Sequence, residues 1–188
     1  MSPSTILPDR NTVVVQQVRR SPERSLSYAD VAGGPLVVPG TGHVAAGGAV
    51  AAAVNDDSSA DVVVRYASAE AHRLNVPLRV VHVWTSGETP ATGARMLRHD
   101  RMCDADGLLA TVLYEALPTA EADVAEREIL HDPDPVRALT ALSPSLSLLV
   151  VAGAAARGRD LGGTPGGLLG RTACPLAVVP AAEESATW

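Results

Sequence analysis

The sequence has no lysine and no phenylalanine, and isoleucine occurs only twice. All 15 basic residues are arginine. Alanine, glycine, valine, proline and arginine fill the chain instead, as coding bias in a GC-rich genome dictates without any functional reason. Positive charge is also in deficit, with 15 basic against 21 acidic residues and a formal net charge of -6. A phosphate backbone needs a basic face, so nucleic acid is excluded as an expected partner. Cysteine is scarce too. Cys103 and Cys174 lie far apart in no ligand-like pattern, which fits reduced thiols in a cytosolic protein. The N-terminus carries no basic-then-apolar signal pattern. The longest apolar run, "VAAGGAVAAAV" at residues 44–54, is too short to cross a bilayer and is weakened by glycine. The expectation is a soluble, cytoplasmic protein with no membrane partner.

What is present is a core. Of 188 residues, 46% are apolar, enough to exclude wholesale disorder. From residue 48 onward, short apolar runs alternate with helical patterns. "AVAAAV" at 49–54 reads as a strand buried on both faces. "NDDSSA" supplies turn and cap residues, and a helix follows over about residues 60–74. Its apolar face is Val63, Val64, Ala67, Ala71 and Leu74. "PLRVVHVW" at 77–84 is the second strand, and residues 85–98 are loop-like. A second helix over 104–117 has the stripe Leu108, Leu109, Val112, Leu113 and Ala116. "VAEREIL" at 124–130 is a more polar third strand. "DPDPVRAL" opens a third helix, with Asp134 as cap and Pro135 at its first position. "LSLLVVAG" at 146–153 is the fourth strand. A glycine-rich loop, a short helix around Leu168 and the strand "PLAVVP" at 175–180 complete the series.

Strands joined by helices imply right-handed crossovers. The expected fold is α/β, a five-stranded parallel sheet with helices on both faces. Ligands in such sheets bind beyond the carboxyl ends of the strands. Residues 1–47 form an N-terminal extension that reads strand-helix-strand. "NTVVVQQV" and "PLVVP" (residues 35–39) are its strands. "SPERSLSYADVAGG" is its helix, with Ser21 as cap, Pro22 in the first turn and Gly33-Gly34 as the stop. "PLVVP" echoes "PLAVVP", and each follows a short helix. The echo is either the remnant of a preceding repeat or a common strand composition. The strand at 35–38 is also suited to pair with a sheet edge and cover it. Residues 181–188 are a tail.

The pieces "PLRVVHVW", "REILHDPDPVRAL", "SLLVVAG" and "ACPLAVVP" stand in an order and spacing that resembles the universal stress protein family over residues 48–180. The family's first strand ends in a Val-Asp-Gly-Ser turn, whose place is held here by Val54-Asn55-Asp56-Asp57. The resemblance implies a nucleotide-binding α/β fold. It also implies a homodimer joined through the fifth strand, residues 175–179 with Pro175 and Val179 at its ends. Many members bind ATP at the strand ends; others act as stress-regulated binding proteins. Neither branch is enzymatic, so no catalytic residue is expected, and at most low-level ATP hydrolysis.

The ATP-binding branch carries Gly-x2-Gly-x9-Gly-Ser/Thr after the fourth strand. Glycines there let backbone N–H groups approach phosphate, and the following helix N-terminus adds positive potential. The segment "VVAGAAARGRDLGGTPGGLLG" at 150–170 reproduces the second half as Gly153-x9-Gly163-Thr164. The first half fails, because Val150 stands three residues before Gly153. With Gly153 taken first, the second glycine falls on Ala156 and the third on Gly166, followed by Gly167. The family's adenosine-facing Asp is Asn55, and the Gly between the third strand and third helix is Pro133. Asp56 and Asp57 at a helix start favour the helix dipole but repel phosphate. The leading expectation is a dimeric stress-response binding protein with a degenerate nucleotide site, no cofactor and an unknown protein partner.

The alternative is an adenine-nucleotide-binding member. It would use Ala53, Asn55 and Val83 with Gly153, Gly163 and Thr164, and Arg157 and Arg159 would replace lost amide contacts to ATP. Those two arginines also read as solvated surface charge. His99 and Cys103, four apart beside Asp100 and Asp104, lack the third and fourth ligands a metal site needs, so no metal is expected. His82 reads as a packed, hydrogen-bonded histidine. No Gly-x-Ser-x-Gly elbow is present, nor any Ser-Gly-Gly-x-Asp-Ser loop after the first strand.

Overall fold

The computed structural model describes residues 16–17, 34–84, 98–153 and 162–181. The strands are β1 (Gln16–Gln17), β2 (Leu36–Val38), β3 (Ala49–Ala53), β4 (Leu78–Trp84), β5 (Glu126–His131), β6 (Leu146–Ala152) and β7 (Leu176–Val179). The helices are α1 (Ala60–Leu74), α2 (Arg98–Ala116), α3 (Thr119–Val124), α4 (Pro135–Leu142) and α5 (Gly163–Leu168). All strands join one sheet in the order β1-β2-β7-β6-β3-β4-β5.

The five expected parallel strands are β3 to β7, and their pairings are all parallel. The expected five-stranded parallel sheet is present, and the N-terminal extension adds to it. Two strands from the N-terminal extension bring the described sheet to seven, and β2 runs antiparallel to β7. The strand at "PLVVP" therefore covers the edge of its own chain's sheet. A fifth-strand homodimer would pair along that same edge. The helix read over residues 21–34 lies almost wholly outside the described residues.

Each face of the sheet carries one core. Alternation along β3 sends Val50 and Ala52 to one side and Ala49 and Ala51 to the other, all buried. On the first side α1 packs Val63, Val64, Ala67 and Ala71, and α2 packs Leu109, Val112, Leu113 and Ala116. Each fully buried aliphatic side chain contributes roughly 1.5–3 kcal/mol. Leu139 of α4, Leu168 of α5 and Leu36 of β2 share the second side with Leu149, Val151 and Cys174.

Two differences from the expected helices have local causes. Leu74 was expected on the buried face of α1 but is 37% exposed. The helix ends there: Asn75 turns left-handed at φ 53°, and the Val76 N–H donates to the Ala71 carbonyl at 3.1 Å. Val124, read as the first residue of the third strand, instead ends α3, which forms behind Pro118, and β5 begins only at Glu126. Asp134 caps α4 as expected, accepting from the N–H groups of Val136 at 3.0 Å and Arg137 at 3.3 Å.

Candidate functional site

The carboxyl ends of β3, β4 and β6 define the expected site. Ala53 is flanked by Val81 of β4 and Val151 of β6. Asn55 is exposed just beyond β3, and Val83 is half-buried near the end of β4. The His82 ring Nδ1 lies 3.0 Å from the Val54 carbonyl oxygen. A carbonyl only accepts, so Nδ1–H donates in this bond and ties the two strand ends together. That is the packed, hydrogen-bonded histidine the sequence suggests.

Gly153 follows β6 at the same edge and is buried. Its N–H donates to the Val179 carbonyl at 2.7 Å. The amide that should open an anion loop is therefore used inside the sheet. Gly163 is exposed as the first residue of α5, and Thr164 behind it is half-buried. Arg157 and Arg159 lie outside the described residues. The structure thus brings Ala53, Asn55, Val83 and Gly153 to one edge and places Gly163 and Thr164 on the helix that follows the loop.

The glycines of α5 serve different ends. A Cβ on Gly163 or Gly166 would meet nothing within 4 Å. A Cβ on Gly167 would come within 2.6 Å of Val136 Cγ2. The small residue at 167 therefore lets α5 lie close against α4.

A cavity of about 230 Å³ opens between the start of α1 and the C-terminal half of α2. Asn55, Asp56, Asp57, Asp61 and Glu115 line it, with Leu108, Thr111 and Val112 as its apolar wall. Asp57 Oδ1 accepts from the Ser59 N–H at 2.9 Å and also from the Ser59 hydroxyl. This carboxylate closes a local turn just before α1, and its negative charge sits near the positive end of the helix. Of the other acids, Asp61 lies 3.7 Å from Arg65. Each like-charge pair about 5 Å apart costs a bound phosphate about 1–3 kcal/mol, depending on solvent access.

The sequence reading anticipates Asp56 and Asp57 as repulsive but misses Asp61 and Glu115. Those two converge only because α1 and α2 pack side by side. The available signal was an acidic position beside each apolar stripe, which solvated helix faces also show. Among the described residues, no group of three or more His, Cys, Asp or Glu side chains could hold a metal ion. The side chain of His99 lies outside them. No described helix is long and apolar enough to cross a membrane.

Solved structures share this fold. A universal stress protein in complex with cAMP matches at a TM-score of 0.50 and 20% identity, covering 73% of this chain and 100% of that one. A universal stress protein from Archaeoglobus fulgidus matches at 0.52 and 18% identity, covering 71% of this chain and 97% of its own. Another, from Archaeoglobus fulgidus DSM 4304, matches at 0.53 and 17% identity, covering 78% of this chain but 50% of its own. No curated protein is similar enough to be matched. The model of the universal stress protein family matches residues 48–180, well over half of the sequence, and on that match the chain belongs to the universal stress protein family.

Proposed function

We propose that this protein is a non-enzymatic binding protein of stress regulation whose nucleotide site no longer holds ATP in the glycine-loop manner. The observation that carries the reading is the acidic cavity between α1 and α2, which adjoins the expected site at Asn55 and is lined by Asp56, Asp57, Asp61 and Glu115. A triphosphate bound across the strand ends meets the negative field of these carboxylates. The Gly153 amide, bonded to Val179, withdraws one further donor.

Thermal unfolding with magnesium and ATP tests this. A ligand at one hundred times its dissociation constant stabilises by about 2.7 kcal/mol, a shift of several degrees. The expected result at millimolar ATP is no shift. A shift of several degrees that vanishes on Gly163→Val would overturn the reading.

A second reading keeps an adenine nucleotide, and the cAMP-bound relative of the same fold favours it. Its ligand would meet Ala53, Asn55 and Val83, with Thr164 and the arginines at 157 and 159 toward the phosphate. Cyclic AMP carries one negative charge, so the acidic wall opposes it less than ATP. Titration with cAMP beside ATP separates the two readings.

A further inference from the structure

Charge is unevenly divided between the two sides of the sheet. Residues 55–75 and 98–124, which form α1 to α3 and the turn before them, carry ten acidic residues against four arginines. Residues 132–145 and 162–171, which form α4 and α5 on the other side, carry two of each. A face so biased attracts cations from a distance and selects the partners that dock on it.

The same face has a concave seat. The cavity between α1 and α2 sets carboxylates beside an apolar wall of Leu108 and Val112. Asp57 is taken up by Ser59, and Asp61 lies 3.7 Å from Arg65. Asp56 and Glu115 have no hydrogen-bond or ion-pair partner among the described residues. The volume of about 230 Å³ is below the roughly 300–1,000 Å³ of sites for whole small molecules and suits one long side chain. No group of described acids can hold a metal ion, so the cation that fits is organic.

Arginine matches both walls, since its methylene stem lies on apolar surface while its guanidinium pairs with carboxylates. Tyr114, the residue before Glu115 on α2, is 51% exposed, and its hydroxyl donates to Asp123 at 2.6 Å. A ring held in this way is a stacking surface for a guanidinium.

We propose that the α1–α2 face docks a basic segment of a partner protein, with one arginine side chain seated in the cavity. The proposal rests on the binding-protein part of the reading above and not on the fate of ATP.

The probe is a short, end-capped, fluorescein-labelled peptide alternating arginine with alanine, read by anisotropy against the full chain. It is expected to bind, and its citrulline counterpart is not. Asp61→Asn with Glu115→Gln should weaken binding roughly tenfold or more. Glu70→Gln with Asp104→Asn removes the same charge from the same helices outside the cavity and should weaken it less than about threefold. Tyr114→Leu should weaken the arginine peptide more than a lysine counterpart, because an ammonium stacks less well. Each variant is checked as folded by circular dichroism. Equal losses from the two charge pairs would mean attraction by a diffuse field and would overturn the seat, as would an unmodified chain that fails to bind. Peptide binding alongside an ATP-induced thermal shift upholds this proposal and overturns only the reading of the nucleotide site.

Discussion

The two sides of the sheet protect their outer strands by opposite means. On the β7 side a second segment of chain covers the strand, and the contacts are apolar: Leu36 is 1% exposed and packs with Leu176 and Val178. On the β5 side the strand is paired through β4, and half of its six residues, Glu126, Arg127 and Glu128, are charged. Arg79 of β4 donates to Glu126 at 2.7 Å and to Glu128 at 3.1 Å. Charge discourages strand addition without any covering element, whereas an apolar strand needs one. Stability should therefore be concentrated on the covered side, and charge on the open side should serve solubility more than folding.

The sharpest way to break this comparison is Leu36→Ala. Removing a fully buried leucine should cost about 2–5 kcal/mol in urea unfolding. A loss no larger than that of a surface substitution would mean the β2 strap is not part of the cooperative unit.

Cys174, just before β7 and buried in the same core, gives a pH test. Burial pushes its thiol up from 9.0 to about 11. The folded chain thus favours the neutral thiol. Its contribution is complete below about pH 9 and is lost as pH climbs to about 11, on the order of 2 kcal/mol. Cys174→Ala should flatten that alkaline decline, read as the slope of unfolding free energy against pH. An unchanged slope would place the alkaline sensitivity elsewhere.

Helix α4 carries the chain from the open side toward the centre, and its cap should have an intermediate effect. Asp134→Ala leaves the N–H groups of Val136 and Arg137 without their carboxylate. The expected loss is about 1 kcal/mol, and Asp134→Asn should restore most of it. The smallest effect belongs to the open side. Arg79→Met should cost less than about 1 kcal/mol, and the difference from the unmodified chain should shrink in molar salt. A loss as large as that of Leu36→Ala would erase the contrast between the two sides.

The sequence discloses the central sheet well because β3 and β7 are short, wholly apolar runs between turn residues and β6 is interrupted only by Ser147. It discloses α1 through the spacing of Val63, Val64, Ala67 and Ala71. The start of α2 at Arg98 lies six residues before the expected one, since polar residues there carry no apolar period. The short helix α3 hides for the same reason: six residues with one buried alanine offer little pattern. At the candidate site the glycine spacing is legible, but its meaning is not. Gly153 spends its amide on Val179 and Gly167 makes room for Val136, and neither use differs in sequence from an anion loop. The convergence of Asp61 and Glu115 depends on how two helices lie together, which no local pattern encodes.

The bond from Thr41 to Thr172 spans 131 positions. During synthesis the strap leaves the ribosome well before the strand it must join. Until that strand emerges, "PLVVP" lacks its β7 partner. Closing the covered edge is thus a late folding event, open to interference from neighbouring nascent chains that already display a finished copy of the same acceptor strand.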